Sequence, residues 1–271
     1  MHTATRAEID ESHAQFRGAW RQFALGSLAG EVVERPEVFI AASHVSWSLM
    51  NAAFLRAPAD TEQALAAAIA SAARYFATGK HAWAFVMSDD WLAPQVRERA
   101  ESILAWYRLR PLTVVTGMVA DTLHEPTRPL PALDIRPVRD SWGRRAVADI
   151  NAISYDVPRE LGREAFDVES LYHADARAFV ACRGDAAASS AMVLRVDGAA
   201  YVALVATAPE HRKVSAAETV MRHALAEAHD TWGLRRTVLH ATEAGEPVYR
   251  RIGYRAVTRF RIFSAPAPGS A

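Results

Sequence analysis

Arg212 and Lys213 stand where two runs of different period meet. Before them, Tyr201–Thr207 (YVALVAT) is apolar and rich in strand formers, and Pro209 turns the chain. After them, Ala217, Val220, Met221, Ala224, Leu225 and Ala228 recur on one face of a helix. The first N–H groups of a helix lack intrahelical partners and have the helix dipole behind them, so such a start attracts an anion. Ser215, Ala216 and Ala217 are small enough to let a phosphate approach the backbone, and the two cations add charge. On these residues alone, an ordinary strand–turn–helix connection with solvated charges stands as the competing reading.

Other chemistries lack their residues. The chain has no G-x-G-x-x-G, no phosphate loop ending in Gly-Lys-Ser/Thr, no H-E-x-x-H and no G-x-S-x-G. Its ten histidines lack metal-ligand spacing, so no metal is expected. The single cysteine, Cys182, excludes an internal disulfide. Within AFVAC it reads as an inert buried hydrophobe rather than a nucleophile. Lys plus Arg and Asp plus Glu are 31 each, which gives no global footprint for nucleic acid or an anionic membrane, and neither partner is expected. No apolar run reaches the roughly 18 residues of a membrane span. The stretch MHTATRAEIDESH is polar and acidic, unlike a signal peptide, so a cytoplasmic location is expected.

These residues need elements to position them. LHEPTRPLPALDIRP (123–137) holds four prolines in fifteen residues and reads as a linker feeding a strand at 133–138. At roughly 150 residues per domain, 271 residues make two units. The expected division is 1–125, a linker at 126–132, a second unit at 133–264 and a flexible tail at 265–271. The first unit predicts a helix over 8–28 and extended segments over 37–42 and 48–55. A helix follows, capped by Asp60, with Leu65, Ile69, Ala72 and Phe76 on one face and Gly79 closing it. Then come a strand over 81–87, a helix through Val96 and Tyr107 ended by Pro111, and a strand over 112–119. The second unit predicts helices over 142–155 and 159–172 and strands over 177–182, 189–196 and 199–207. Beyond the helix at Ala217 lie a strand over 236–241, a short helix over 245–252 and a last strand over 255–263. Residues 48–121 and 199–263 share one order of strand, helix, strand, helix, strand. That order fits either a divergent duplication or a coincidence common among mixed α/β folds.

Arg212-Lys213-Val214-Ser215-Ala216-Ala217 resembles the acyl-coenzyme A motif R-x-x-G-x-G/A of the GNAT superfamily of acetyltransferases. A second motif follows at the family's distance: VLHATEAGEPVYRRIGYRAV (238–257), with Tyr249 shortly before the Gly253-Tyr254 pair. The resemblance covers about 133–263. It implies an α/β (α+β) fold of tandem GNAT-like domains, each a mixed, mostly antiparallel twisted sheet flanked by helices. It also implies an N-acyltransferase that moves an acetyl or small acyl group from acyl-coenzyme A to a primary amine by direct attack in a ternary complex. Acetyl-coenzyme A would be the co-substrate, with no metal, and a small-molecule or peptide amine the acceptor. A homodimer is compatible with the resemblance.

The resemblance further implies residue roles. Val205, Ala206 and Thr207 would pair with the pantetheine arm as an added strand. Arg212, Lys213, Val214, Ser215, Ala216 and Ala217 would hold the pyrophosphate. Tyr249 would be the general acid for the leaving thiolate, as a phenol protonated at pH 7. One departure is Ser215, which stands at the motif's first glycine: a Cβ disfavours positive φ there. Serine fits if the loop is simply the helix start, where it could cap. Otherwise two alternatives arise: an acyl donor on a carrier protein, or a non-catalytic acyl-coenzyme A sensor. His240, Glu243 and Glu246 are candidate bases without a distinguishing feature. Tyr155, Tyr172 and His173 are weak acceptor-side candidates. The first unit looks like a degenerate copy. Pro58 and Asp60 stand at its would-be phosphate loop, and Leu104 stands near the place of the tyrosine. It is expected to bind no coenzyme and to shape the acceptor pocket, where Trp47, Trp83 or Trp91 could contribute unless packed in the core.

Overall fold

The computed structural model describes residues 4–269. The first half runs α1 (Arg6–Gly26), β1 (Glu31–Glu34), β2 (Val38–Ala42), β3 (Asn51–Leu55), α2 (Glu62–Phe76), β4 (Trp83–Ser88), α3 (Pro94–Trp106) and β5 (Arg110–Ala120). The second runs β6 (Asp134–Pro137), α4 (Ser141–Ser154), α5 (Arg159–Phe166), β7 (Ala176–Arg183), β8 (Ala186–Val196), β9 (Ala199–Thr207), α6 (Ala216–Trp232), β10 (Thr237–Thr242), α7 (Glu246–Ile252) and β11 (Arg255–Ala265). Among the described residues, no helix is long and apolar enough to cross a membrane.

All the strands join one sheet in the order β1-β2-β3-β4-β11-β5-β10-β9-β8-β7-β6. Only β3–β4 and β9–β10 are parallel pairs. Around the central β11–β5 pair, which has four strands on one side and five on the other, the inner strands are arranged symmetrically. On either side lies an antiparallel neighbour (β4 or β10), and then its parallel partner (β3 or β9). A helix joins each parallel pair, α2 on one side and α6 on the other. The two halves have thus exchanged their last strands. β5 pairs only with β10 and β11 of the second half, and β11 reaches across to β4.

Alternation along the strands sends side chains to two faces. One face carries a continuous core under α1, α4 and α5, including Phe16, Phe54, Val147, Phe166, Val180 and Phe260. The opposite face carries two separate cores, one beneath α2 and α3 and one beneath α6 and α7. α1 lies over the junction. Its capping box at Thr5 and Glu8 fixes its start. The Thr5 amide, helped by Arg255 of β11, holds the Glu8 carboxyl down at about 2. Phe16 stacks on His240 at 3.8 Å and meets Phe54 and Phe260 edge-on. Arg236 joins Glu11 of α1 (2.6 Å) to Asp121 after β5 (2.9 Å). Gly117 makes room for α1, because a Cβ there would lie 2.3 Å from Ser12 Oγ.

Several local expectations shift. Thr61, not Asp60, caps α2, its Oγ1 accepting from the Ala64 amide at 3.1 Å. The turn falls one residue later because Ala59 is bridged to Leu92 and the Asp60 carbonyl accepts from Gln95. Gly79 lies beyond the end of α2, at Ala77. Ser48–Met50 is a 3-10 turn ahead of β3, and β1 was not foreseen. Pro111 sits inside β5 rather than ending α3, opposite Phe263 of β11 and beyond the end of β10, which pairs only with 115–120. Of the tail expected at 265–271, Ala265 belongs to β11, and residues 270–271 lie outside the described residues, as do residues 1–3 of the polar N-terminal stretch.

Candidate active site

β9 and β10 begin as a parallel pair, Thr237–Leu239 against Ala200–Val202, and pairing stops there. On its other edge β9 skips register between Ser190 and Met192. The residue at the skip is Leu204, held at φ +50°, a left-handed conformation costly for a branched side chain. The bulge turns the end of β9, Val205–Thr207, away from β10. On the β8 side this end remains anchored, with Ala206 and Thr207 paired to Ser190 and Ser189. Ser189 Oγ donates to the Ala206 carbonyl (2.7 Å) and Ser154 Oγ to the Thr207 carbonyl (3.2 Å).

The parted strands bound a cleft of about 380 Å³. Val205, Ala206, Thr207, Arg212, Ala217 and Tyr249 all line it, together with Tyr155, Thr242 and Gly245. At one end the chain enters α6 through Lys213 (φ +66°) and Ser215 (φ +62°). Ser215 therefore adopts the glycine conformation that its Cβ disfavours. It does not cap α6: its Oγ accepts from Arg128 Nε at 2.8 Å, and no side chain caps the helix. The first N–H groups of α6 keep no side-chain acceptor. The Val214 side chain is exposed and that of Ala216 is buried, so both offer the loop only their backbone. Glu218, in the first turn, is buried and engaged by Arg222 (3.0 Å) and Arg251 (3.4 Å), which offset its charge.

Tyr249 projects from α7 across the cleft from β9, its ring edge-on to Tyr254 at 5.8 Å. Burial, with Tyr155 and Tyr254 nearby, raises its pKa well above the phenolic range, so it stays protonated at pH 7. The candidate bases do not enter the cleft. Glu246 accepts from Thr116 Oγ1 at 2.7 Å and from Arg250, and its pKa is lowered by the Thr116 bond first. Glu243 is exposed. His240 Nδ1 lies 2.9 Å from the Tyr201 hydroxyl and Nε2 3.2 Å from Ser12 Oγ, and burial pushes its pKa down to about 3. Of the acceptor-side candidates only Tyr155 reaches the cleft. The Tyr172 hydroxyl is bonded to the Phe166 carbonyl, and exposed His173 caps the Asp175 amide. Among the described residues, no group of three His, Cys, Asp or Glu could hold a metal.

Residues 134–257 match the family model described as acetyltransferase (GNAT) domain. The whole chain resembles several solved structures. A GCN5-related N-acetyltransferase from Kribbella flavida is 18% identical over 95% of each chain, with a TM-score of 0.66. A functionally unknown conserved protein from Staphylococcus epidermidis is 11% identical over 87% of this chain and 93% of that one, with a TM-score of 0.62. A tandem GNAT protein from the clavulanic acid biosynthesis pathway is 13% identical over 99% of this chain and 98% of that one, with a TM-score of 0.53. At these identities the likeness is one of fold, and it spans both halves of the chain. No curated protein sequence matches the chain.

Three features of this cleft escaped sequence reasoning. Nothing in a leucine announces the positive φ of Leu204. Arg128 lies in a proline-rich stretch with no periodicity, yet reaches the α6 loop. Ser154 ends α4 and meets Thr207 only through the fold.

Proposed function

We propose that the chain is an N-acyltransferase that moves an acetyl or small acyl group from acyl-coenzyme A to a primary amine in a ternary complex. The observation that carries this is the parting of β9 from β10 beside an uncapped helix start, with a protonated tyrosine across the gap. The free edge of Val205–Thr207 receives the pantetheine amides as a further strand. The backbone of Lys213–Ala217 receives the pyrophosphate, with Arg212, Lys213 and Arg128 supplying charge.

The acceptor nitrogen attacks the thioester carbonyl, forming the C–N bond. The C–S bond breaks as the tetrahedral adduct collapses. Tyr249 donates its hydroxyl proton toward the departing sulfur, and the proton released from nitrogen passes to water and restores the phenol. The products are an amide and free coenzyme A, with no acyl-enzyme. Cys182 is buried in β7 with its pKa raised by burial, and it is not needed.

Ser215 bears on the donor. Its φ of +62° means the loop has the shape glycine would give it, so the serine does not by itself exclude a diphosphate. The unit at 133–264 is the working copy in this reading, and 1–125 supplies strand β5 and the wall formed by α1. The protein works without nucleic acid or membrane, in the cytoplasm.

The test is thiol release from acetyl-coenzyme A with a panel of amines, for wild type and Tyr249→Phe. The expected result is a kcat lowered about 10- to 1,000-fold with acetyl-coenzyme A affinity kept. Unchanged turnover in Tyr249→Phe would remove its proton-donor role. No binding of acetyl-coenzyme A by calorimetry would remove the donor and point to a carrier-protein thioester.

A further inference from the structure

A second cavity, of about 350 Å³, lies between the two halves and shares Tyr155 and Thr242 with the donor cleft. A molecule seated in it has one end at the cleft where the thioester would arrive. Phe16, Trp20 and Phe23 of α1 form one wall, and Trp47 and Phe166 form another. Trp47 meets Tyr155 and Phe166 edge-on, at 6.2 and 5.7 Å.

The lining contains no Asp, Glu, Lys or Arg. Its few polar groups are largely engaged. Trp20 Nε1 donates to the Leu49 carbonyl at 2.8 Å, and Tyr201 and His240 are bonded to each other. His240, neutral between two hydroxyls, offers no charge. The carboxylates on flanking elements are held elsewhere: Glu164 on the Ser46 amide, and Glu246 on Thr116 and Arg250. An ammonium, carboxylate or phosphate entering this space would lose its water and find no counter-ion, which is strongly unfavourable. Aromatic walls favour another ring at van der Waals distance.

We infer that the acceptor is a weakly basic primary amine on an uncharged aromatic body, of the arylamine class, with its ring in this cavity and its nitrogen at Tyr155 and Thr242. This inference rests on the acyltransferase reading and names its substrate class. An arylamine is already neutral at pH 7 and attacks without a general base. That fits a cavity whose lining has no carboxylate at the Tyr155–Thr242 end. Polyamines, aminoglycosides and zwitterionic amino acids are charged and are refused on the same ground.

The test has two independent readouts. Turnover is measured with acetyl-coenzyme A and an arylamine, spermidine, kanamycin or glutamate. Binding of the arylamine is followed, without turnover, by quenching of Trp20 and Trp47 fluorescence. The expected kcat/KM for the arylamine exceeds that of the charged amines at least 100-fold. Val157→Trp, which projects a ring into the cavity from its lining, raises the arylamine KM at least tenfold and leaves the acetyl-coenzyme A affinity within twofold. A Trp47→Ala variant, which widens the cavity, keeps the result readable if Val157→Trp fails to fold, and it raises the arylamine KM at least threefold with the acetyl-coenzyme A affinity kept. Spermidine or kanamycin as the best acceptor would overturn the inference while leaving the acyltransferase reading standing. So would tight acetyl-coenzyme A binding with no arylamine quenching, or a cavity filled by octanoyl-coenzyme A in competition with the arylamine. Failure to bind any acyl-coenzyme A would overturn both.

Discussion

Ala59 is bridged to Leu92 in the first half, across the gap that stays open in the second. The Ala59 amide donates to the Trp91 carbonyl (2.8 Å), and the Ala93 amide donates back to the Ala59 carbonyl (3.2 Å). The chain's own backbone thus fills the place that an added strand would take between β3 and β4. β3 also ends at Leu55, one residue past its last pairing with β4, whereas β9 runs on to Thr207. Leu104, near the position of the tyrosine, is fully buried.

From that closure we expect one acetyl-coenzyme A per chain. Titration calorimetry should give a stoichiometry of one, and substitutions around Ala59 should not change it. A stoichiometry of two would mean that the first-half gap opens.

Ser215 leads to a second expectation. A β-branched residue is far more strained than serine at φ +62°, so Ser215→Val should cost about 1–2 kcal/mol and distort the α6 entry. It also deprives Arg128 of its acceptor. Acetyl-coenzyme A affinity should fall tenfold or more, while Ser215→Gly stays within about threefold of wild type. Calorimetry on the three proteins checks this. Equal affinities for all three would show that the loop does not need its left-handed turn.

Much of this was legible because the needed signals are local. The apolar run of β9, the amphipathic face of α6 and the two motifs carry their own periods. Pro247 and Gly253 (φ +116°) frame α7 for reasons visible in residue type. The exchange of β5 and β11 was not legible, because a strand's pattern tells which side is apolar and not which strand lies beside it. The cap moved from Asp60 to Thr61 through a tertiary bridge at Ala59. The bulge at Leu204 has no residue signature at all, although it opens the cleft.

The buried histidines give a pH dependence of stability. Burial lowers the His240 pKa from 6.5 to about 3, and that of His13, stacked on Trp91, well below 6.5. Above pH 6.5 both folded and unfolded states are neutral at these rings, and the stability is complete. Below it the unfolded chain binds protons that the native rings refuse, so stability falls as pH falls from 6.5 toward 3. Between pH 7 and 5.5 each histidine should remove about 1 kcal/mol. The lowered pKa of Glu8 acts only below its ordinary 4.5, outside that window. Urea unfolding of wild type and His240→Gln at both pH values measures this. The variant starts lower and should lose less than wild type, the remainder coming from His13 and from His81, whose pKa burial also lowers. Equal losses would assign the dependence to other groups.

The strand exchange predicts how the chain divides. A fragment ending before Thr127 keeps β5 but loses β11, which separates β4 from β5, so one edge of β4 and both edges of β5 lie unpaired. Residues 127–271 alone lose β5 from between β10 and β11, and lose α1 from above the central strands. Neither fragment should fold cooperatively alone. Mixed, they should form a one-to-one complex with the far-ultraviolet spectrum of the intact chain. Cutting the linker makes folding bimolecular, so the complex must offset about 4–15 kcal/mol of lost translational and rotational freedom at the 1 M standard state. Its melting temperature should therefore rise with protein concentration, while that of the intact chain does not. A monomeric, cooperatively melting fragment of 1–126 would mean that β4 and β5 can close on each other without β11.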